Sequence, residues 1–302
     1  TPATGAWPKT AEGRTAIQSM LYTPSSDAGF AVTDNYNANS YGTLGISVTG
    51  EPLRQPSDVT ADTAKRAEIA TANAANLFVL DDGATTRFAG GNATNNKLVP
   101  PYVDVNGNTR VGATVTFDDP LIVDYRNNAW TLNPTAPIET SATGVVSDLP
   151  ATFSATRPGS ISVTGDVVVG GFNHENYFPT QLGQAWANVC EPYTDNSGAP
   201  VTVKSCNNVT SGTVTTGGPR GAWNATMLAF QTDRLVKAIN TLDAAALGVM
   251  ELENSFKLTF GTAAKSGDSA KYLVNALNKA STSGKWAYID PTPLRQQAIA
   301  SQ

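Results

Sequence analysis

The apolar positions change period part-way along the chain. Up to about residue 140, AIQSMLYT, GFAVTDN, GTLGISVTG, NLFVLDDG and RVGATVTF alternate or cluster apolar residues between turn signals, the pattern of short strands. Asp81-Asp82-Gly83 marks a tight turn. LIVDYRNNAWTLNPT predicts a hairpin with Arg126-Asn127-Asn128 at its tip. One Ala-rich stretch, DVTADTAKRAEIATANAAN, reads as a helix. Together these predict an all-β domain over residues 1–140, a barrel or sandwich of OB-like kind with one inserted helix. Residues 141–165 predict an extended, Pro-containing connector.

After Val167 the pattern shifts. VVVGGF is a continuous apolar run, the signature of a strand covered on both faces. From Trp223 the spacing turns helical: Leu228, Leu235, Ile239 and Leu242 recur at seven, four and three residues, behind Asn224 as N-cap. AALGVMELEN predicts a second strand. A helix opening at Asp268 or Ser269 turns Leu273, Val274 and Leu277 inward, and WAYID predicts a third strand. Strand–helix–strand–helix–strand over residues 166–302 is an α/β unit.

Composition narrows the setting. Charged residues make up 15% of the 302, against a usual ~25%, and Thr, Asn, Ser and Gly fill the difference. Such surfaces suit exported β-rich proteins. The chain opens Thr-Pro-Ala-Thr, as expected after removal of a leader, and carries no apolar run of ~20 residues. The net charge of −5 argues against a broad basic nucleic-acid groove, although a bound metal supplies positive charge in many nucleic-acid enzymes. The two cysteines, Cys190 and Cys206, bound a polar loop. With an even count in an export-like chain they predict a disulfide, contributing ~3 kcal/mol through loop closure. No second Cys pair or nearby His completes a zinc shell.

Two strand ends carry candidate chemistry. In GVMELEN, alternation turns Met250 and Leu252 one way and Glu251 and Glu253 the other. A carboxylate in an apolar strand is costly unless paired or metal-bound. Glu251 suits a hard cation such as Mg²⁺, which takes one or two carboxylates plus water and phosphate oxygens; the alternative is a salt bridge to a nearby Lys or Arg. Asn173 ends the first strand of the same unit, where an amide can donate to a phosphate or orient a carboxylate. The alternative there is an Asn satisfied by backbone. His174, the only histidine, faces away from Asn173 by alternation and reads as a structural side chain. No G-x-S-x-G, P-loop or G-x-G-x-x-G is present.

VVVGGFNHENYF, the Cys-bounded loop and RGAWNATMLAFQTDRLVKAINTLDAAALGVMELEN resemble the secreted bacterial nucleases of the endonuclease/exonuclease/phosphatase, DNase-I-like superfamily. Those proteins show a strand ending FNVxNYF, an RGA, a helix FxRQxxKIVxAL and LDADVVGLMEIEN. YGTLGISVTGEPLRQPSDV, NLFVLDDG and LIVDYRNNAWTLNPT resemble the β domain preceding the catalytic domain in such nucleases. The resemblance implies the N-terminal half of a four-layer α/β sandwich and a secreted phosphodiesterase acting on extracellular DNA or RNA. It implies Glu251 as ligand to Mg²⁺ (or Mn²⁺ or Ca²⁺), Asn173 at the metal–phosphate centre, and Glu253 and Arg220 in secondary roles.

The chain also departs from that pattern. His174 stands where the family has Val or Leu, Phe230 and Thr232 where it has basic residues, and Ala245 where it has Asp, while Arg234 retains one cation. The family's later Asp-x-Asn and Asp-His groups have no counterpart before Gln302. The resemblance therefore implies about half a catalytic domain, inactive alone, whose open sheet is covered by a missing half or a neighbouring copy. The alternatives are a non-enzymatic secreted protein using the fold fragment for assembly, and a phosphatase or lipid phosphodiesterase.

Overall fold

The computed structural model describes residues 2–89, 92, 94–103, 109–154, 163–195, 197–210, 213–216, 218–254, 268–282 and 286–289. The chain divides into two compact units, Thr1–Ser160 and Ile161–Gln302. The first contains β1 (Ala3–Ala6), α1 (Ala11–Ala16), β2 (Leu21–Ser25), β3 (Phe30–Asp34), α2 (Ala38–Tyr41), β4 (Leu44–Ser47), α3 (Pro56–Val59), α4 (Thr63–Ala75), β5 (Leu77–Leu80), β6 (Thr114–Phe117), β7 (Leu121–Arg126), β8 (Ala129–Asn133) and β9 (Ala151–Phe153). Its strands form one curled, mixed sheet of nine in the order β1-β2-β7-β8-β5-β4-β3-β6-β9. Pairs β1–β2 and β5–β8 are parallel and the others antiparallel.

Alternation places the core. Phe78 and Leu80 of β5, Leu121 and Val123 of β7, and Leu132 of β8 are all buried. The rings of Trp7 and Phe78 lie 5.0 Å apart and those of Phe30 and Phe117 5.1 Å, which closes the sheet's concave side with aromatic contacts. Helix α4 is the Ala-rich segment; the Asp62 carboxylate accepts from the Ala64 and Lys65 N–H groups at its start. The hairpin β7–β8 turns through Asn127 and Asn128 at φ 52° and 62°, the two left-handed residues a type I′ turn requires.

Three expectations for this region need correction. The strand expected from Ala16 begins only at Leu21, because Ala16 closes α1 and Ser19 turns the chain at φ 64°. The single inserted helix has three shorter companions, α1, α2 and α3. The expected connector over 141–165 includes β9, whose Ala151 and Phe153 pair with Phe117 and Val115 of β6.

A polar cluster ties the end of β5 to the hairpin. The Arg126 guanidinium bridges to the Asp81 carboxylate and donates to Asn133 Oδ1 at 2.8 Å. Tyr102 donates to the Asp81 carbonyl at 3.0 Å. Asp82 is buried; its Oδ1 accepts from the Ala84 N–H, while its Oδ2 lies against Gly42 with no hydrogen-bond partner among the described residues. Burial, with the Asp81 charge adding to it, pushes the Asp82 carboxyl up to about 6. A raised carboxyl pKa favours folding while the group is protonated. That contribution is complete below the ordinary value of 3.8 and is lost as pH rises through about 6. Thermal melts between pH 3.5 and 7.5 are expected to show the first unit losing stability across that window, and Asp82→Asn is expected to flatten the loss. An unchanged slope in the variant would assign the dependence to other groups.

The second unit contains β10 (Val169–Tyr177), β11 (Cys190–Thr194), β12 (Pro200–Thr210), β13 (Thr213–Thr216), α5 (Ala225–Leu242), β14 (Ala246–Leu252) and α6 (Asp268–Ala280). Strands β10 and β14 pair in parallel, with α5 as the crossover between them. Strands β11, β12 and β13 form a separate antiparallel sheet. Leu228, Leu235, Val236 and Ile239 of α5 pack with Leu273 and Leu277 of α6 and with Tyr177 and Ala222. Leu242, expected on this apolar face, is 41% exposed at the helix end.

Two expectations fail here as well. The parallel pair is not covered on both faces, for Val169 is 72% and Met250 53% exposed. The third strand expected at WAYID does not form over 286–289, since the Asn278 amide takes both the N–H and the carbonyl of Trp286, at 2.6 and 2.9 Å. The indole N–H of Trp286 donates to Asn240 at 3.0 Å, so the residue buttresses α5 and α6 instead.

Candidate functional site

The polar run Asn-His-Glu-Asn lies where β10 leaves regular pairing. Asn173 is opposite Met250 and Tyr177 opposite Leu252, so four steps along β10 meet two along β14. The two extra residues are accommodated by left-handed backbone at Glu175 (φ 54°) and Asn176 (φ 56°), and across from them Glu251 is left-handed too (φ 58°). Such conformations cost about 1–3 kcal/mol each in a non-glycine residue and persist only where the surroundings enforce them.

The bulge surrounds one carboxylate. Asn173 Nδ2 donates to Glu251 Oε1 at 3.1 Å, and the Asn176 N–H donates to Oε2 at 3.0 Å. The Asn173 carbonyl oxygen in turn accepts from the Glu175 N–H at 2.8 Å, which fixes the amide's orientation. Glu251 is exposed and makes no salt bridge among the described residues. Its position at the surface, with both oxygens oriented and lone pairs still open, leaves it able to ligate a hard cation.

Two supports of this arrangement carried no assigned role in the sequence. Gln231 sits on the apolar side of α5, three residues after Leu228 and four before Leu235, and its Nε2 donates to the carbonyls of His174 (3.2 Å) and Glu175 (3.1 Å). An amide interrupting an apolar helical stripe was the available signal. Gly221 has φ 85°, and a Cβ there would lie 2.0 Å from the Asn176 carbonyl oxygen. The Arg-Gly-Ala segment can therefore pass behind the bulge only with glycine at its centre.

The other residues singled out from the sequence have different surroundings. Glu253 is buried; its carboxylate accepts from the Thr180 N–H at 2.8 Å, the Thr180 hydroxyl and Gln181 Nε2 at 3.2 Å, so it fastens the chain after β10. The left-handed Glu251 breaks the alternation that would have given Glu251 and Glu253 the same environment. His174 is buried between the rings of Phe172 and Tyr177, with neither nitrogen hydrogen-bonded among the described residues. Burial lowers its pKa and holds it neutral. Cys190 and Cys206 form a disulfide between directly paired positions of β11 and β12. Arg220 is exposed and lines a groove of 1240 Å³ between α5, β12 and the end of β10, which Asn173, Glu175 and Asn176 also line.

Comparison with protein-family models, with curated proteins and with solved structures found no match to this chain. No described group of three or more His, Cys, Asp or Glu forms a metal cluster. No helix among the described residues is long and apolar enough to cross a membrane.

Gly221→Ala is expected to destabilise the second unit by more than about 1 kcal/mol, because the residue is left-handed and its Cβ meets backbone. It should also disturb the bulge. Denaturant unfolding checks the first effect and the Asn176 amide resonance the second. A neutral substitution would show that the contact between residues 221 and 176 does not hold the site.

Proposed function

We propose that this chain carries the metal- and phosphate-handling part of a secreted, phosphodiester-hydrolysing site centred on Glu251 and Asn173. The observation that carries the reading is the convergence of three left-handed, non-glycine residues, Glu175, Asn176 and Glu251, around one exposed carboxylate. Strain of this kind clusters at functional sites, where a fixed geometry is worth its cost. A salt-bridged surface glutamate needs no such enclosure.

The donor set fits a hard divalent cation of the Mg²⁺, Mn²⁺ or Ca²⁺ type. Glu251 would hold it through a single carboxylate, as Mg²⁺ accepts when water and phosphate oxygens complete its shell. Bound there, the cation would polarise a phosphoryl oxygen and acidify a water. Asn173 keeps the carboxylate turned outward, and the Asn176 N–H holds its second oxygen. Arg220, on the adjoining groove, offers a charge for phosphate. His174 takes no part as a base, because its ring is packed between Phe172 and Tyr177.

The resemblance to DNase-I-like nucleases agrees with this reading. The β10–α5–β14 unit suits the start of such a sandwich, and nucleic acid is the substrate class it implies. The disulfide is compatible with an oxidising, extracellular setting.

Two measurements test the proposal. Mn²⁺ titration followed by electron paramagnetic resonance should show a weak site that Glu251→Gln removes. Plasmid nicking by the 302-residue chain should stay near background at pH 7, since the buried His174 cannot serve as general base and loss of a base typically costs ~10²–10⁴-fold. At pH 9 with Mn²⁺, hydroxide substitutes for the base. Nicking should then rise, stop with EDTA and fall at least about tenfold in Glu251→Gln. Equal Mn²⁺ binding or equal nicking by the variant would overturn the assignment.

A further inference from the structure

The groove beside Glu251 has a composition that the metal site does not explain. Among the described residues its charged lining consists of Lys204 on β12, Arg220, Arg234 on α5 and one carboxylate, Glu175. Three cations face one acid in a chain whose net charge is −5. Among the described residues none of the three cations is in a salt bridge. Positive charge is thus concentrated in this groove against the balance of the whole protein.

Besides Phe172, which packs on His174, two exposed aromatic side chains line the same groove. Tyr193 of β11 is 58% and Phe230 of α5 56% exposed, and neither ring contacts another ring among the described residues. An exposed ring offers a flat apolar face on which another planar group can stack. The volume of 1240 Å³ exceeds the ~300–1,000 Å³ usual for single small ligands, and suits a stretch of polymer.

We infer that the groove binds single-stranded nucleic acid, with Lys204, Arg220 and Arg234 along the phosphates and Tyr193 and Phe230 stacking on unpaired bases. The inference rests on the phosphodiester reading of the neighbouring site for its choice of a phosphate polymer. It adds strandedness. Bases in a duplex are stacked on one another and present no face to a side-chain ring, whereas an open strand presents one at every nucleotide. Discrimination therefore comes from the rings, and affinity from the cations.

The test is fluorescence anisotropy with labelled dT12 and a 12-bp duplex, using the whole 302-residue chain in EDTA. The strand should bind at least about tenfold tighter than the duplex. Tyr193→Ala and Phe230→Ala should each weaken dT12 binding about fivefold or more, leave the salt dependence unchanged, and shrink the preference over duplex by the same factor. Phe230→Trp should restore it, which separates stacking from folding. Log affinity against log salt should slope by about −2 for three neutralised phosphates, and Arg234→Ala should reduce that by about 0.7. Equal binding to the duplex, or unchanged affinity in both alanine variants, would overturn the inference. Because the assay contains no free metal, its failure is distinct from that of the Glu251 assignment. Loss of Mn²⁺ binding would leave dT12 binding standing, and absent dT12 binding would leave the metal site standing.

Discussion

The second unit is organised around a carboxylate held from the opposite strand. Asn173 and the Asn176 N–H can both reach Glu251 only because β10 carries two extra residues against β14. Those residues must turn left-handed, and left-handed glutamate is not stable by itself. Gln231 therefore ties the bulge to α5, and Gly221 lets the chain pass behind it. The apolar contacts of α5 and α6 supply the stability that the strained turn draws on. Core, crossover helix and glycine all serve one orientation of one side chain.

The elements with local signals were legible in the sequence. The hairpin tip at Arg126-Asn127-Asn128 was legible because both asparagines tolerate left-handed backbone, and the pairing of Arg126 with Ala129 narrows the turn to the two asparagines. Asn224 and the spacing of Leu228, Leu235 and Ile239 specified α5 because cap and period are local properties. The joint strand-end position of Asn173 and Glu251 was legible for the same reason, through the length and composition of the two runs. The turn at Glu251 was not, because nothing in Met-Glu-Leu-Glu marks a left-handed residue.

Non-local pairing was hidden. The parallel contacts β1–β2 and β5–β8, and the return of β9 to β6, join segments whose sequences carry no mutual signal. WAYID misled because a run of aromatic and apolar residues reads as strand, while its first residue had its backbone groups captured by Asn278. A side-chain amide in the last turn of a helix can outcompete a ladder, and only the folded arrangement reveals it. Asp82 teaches the same lesson in the first unit: Asp-Asp-Gly signalled a turn, but not that one carboxylate would be sealed against Gly42.

The disulfide joins residues directly opposite one another at the base of the β11–β12 hairpin, and beyond it the Asp195 N–H donates to the Ala199 carbonyl where the chain turns back. Tyr193 and Lys204, which line the groove, lie inside the loop that this bond closes, so the crosslink anchors the groove wall at its base. A protease that cuts the bend leaves one covalent molecule, still fastened where Cys190 meets Cys206. Evolution has a related licence: insertions at the tip can lengthen or recolour the hairpin while Cys190 and Cys206 keep its base fixed.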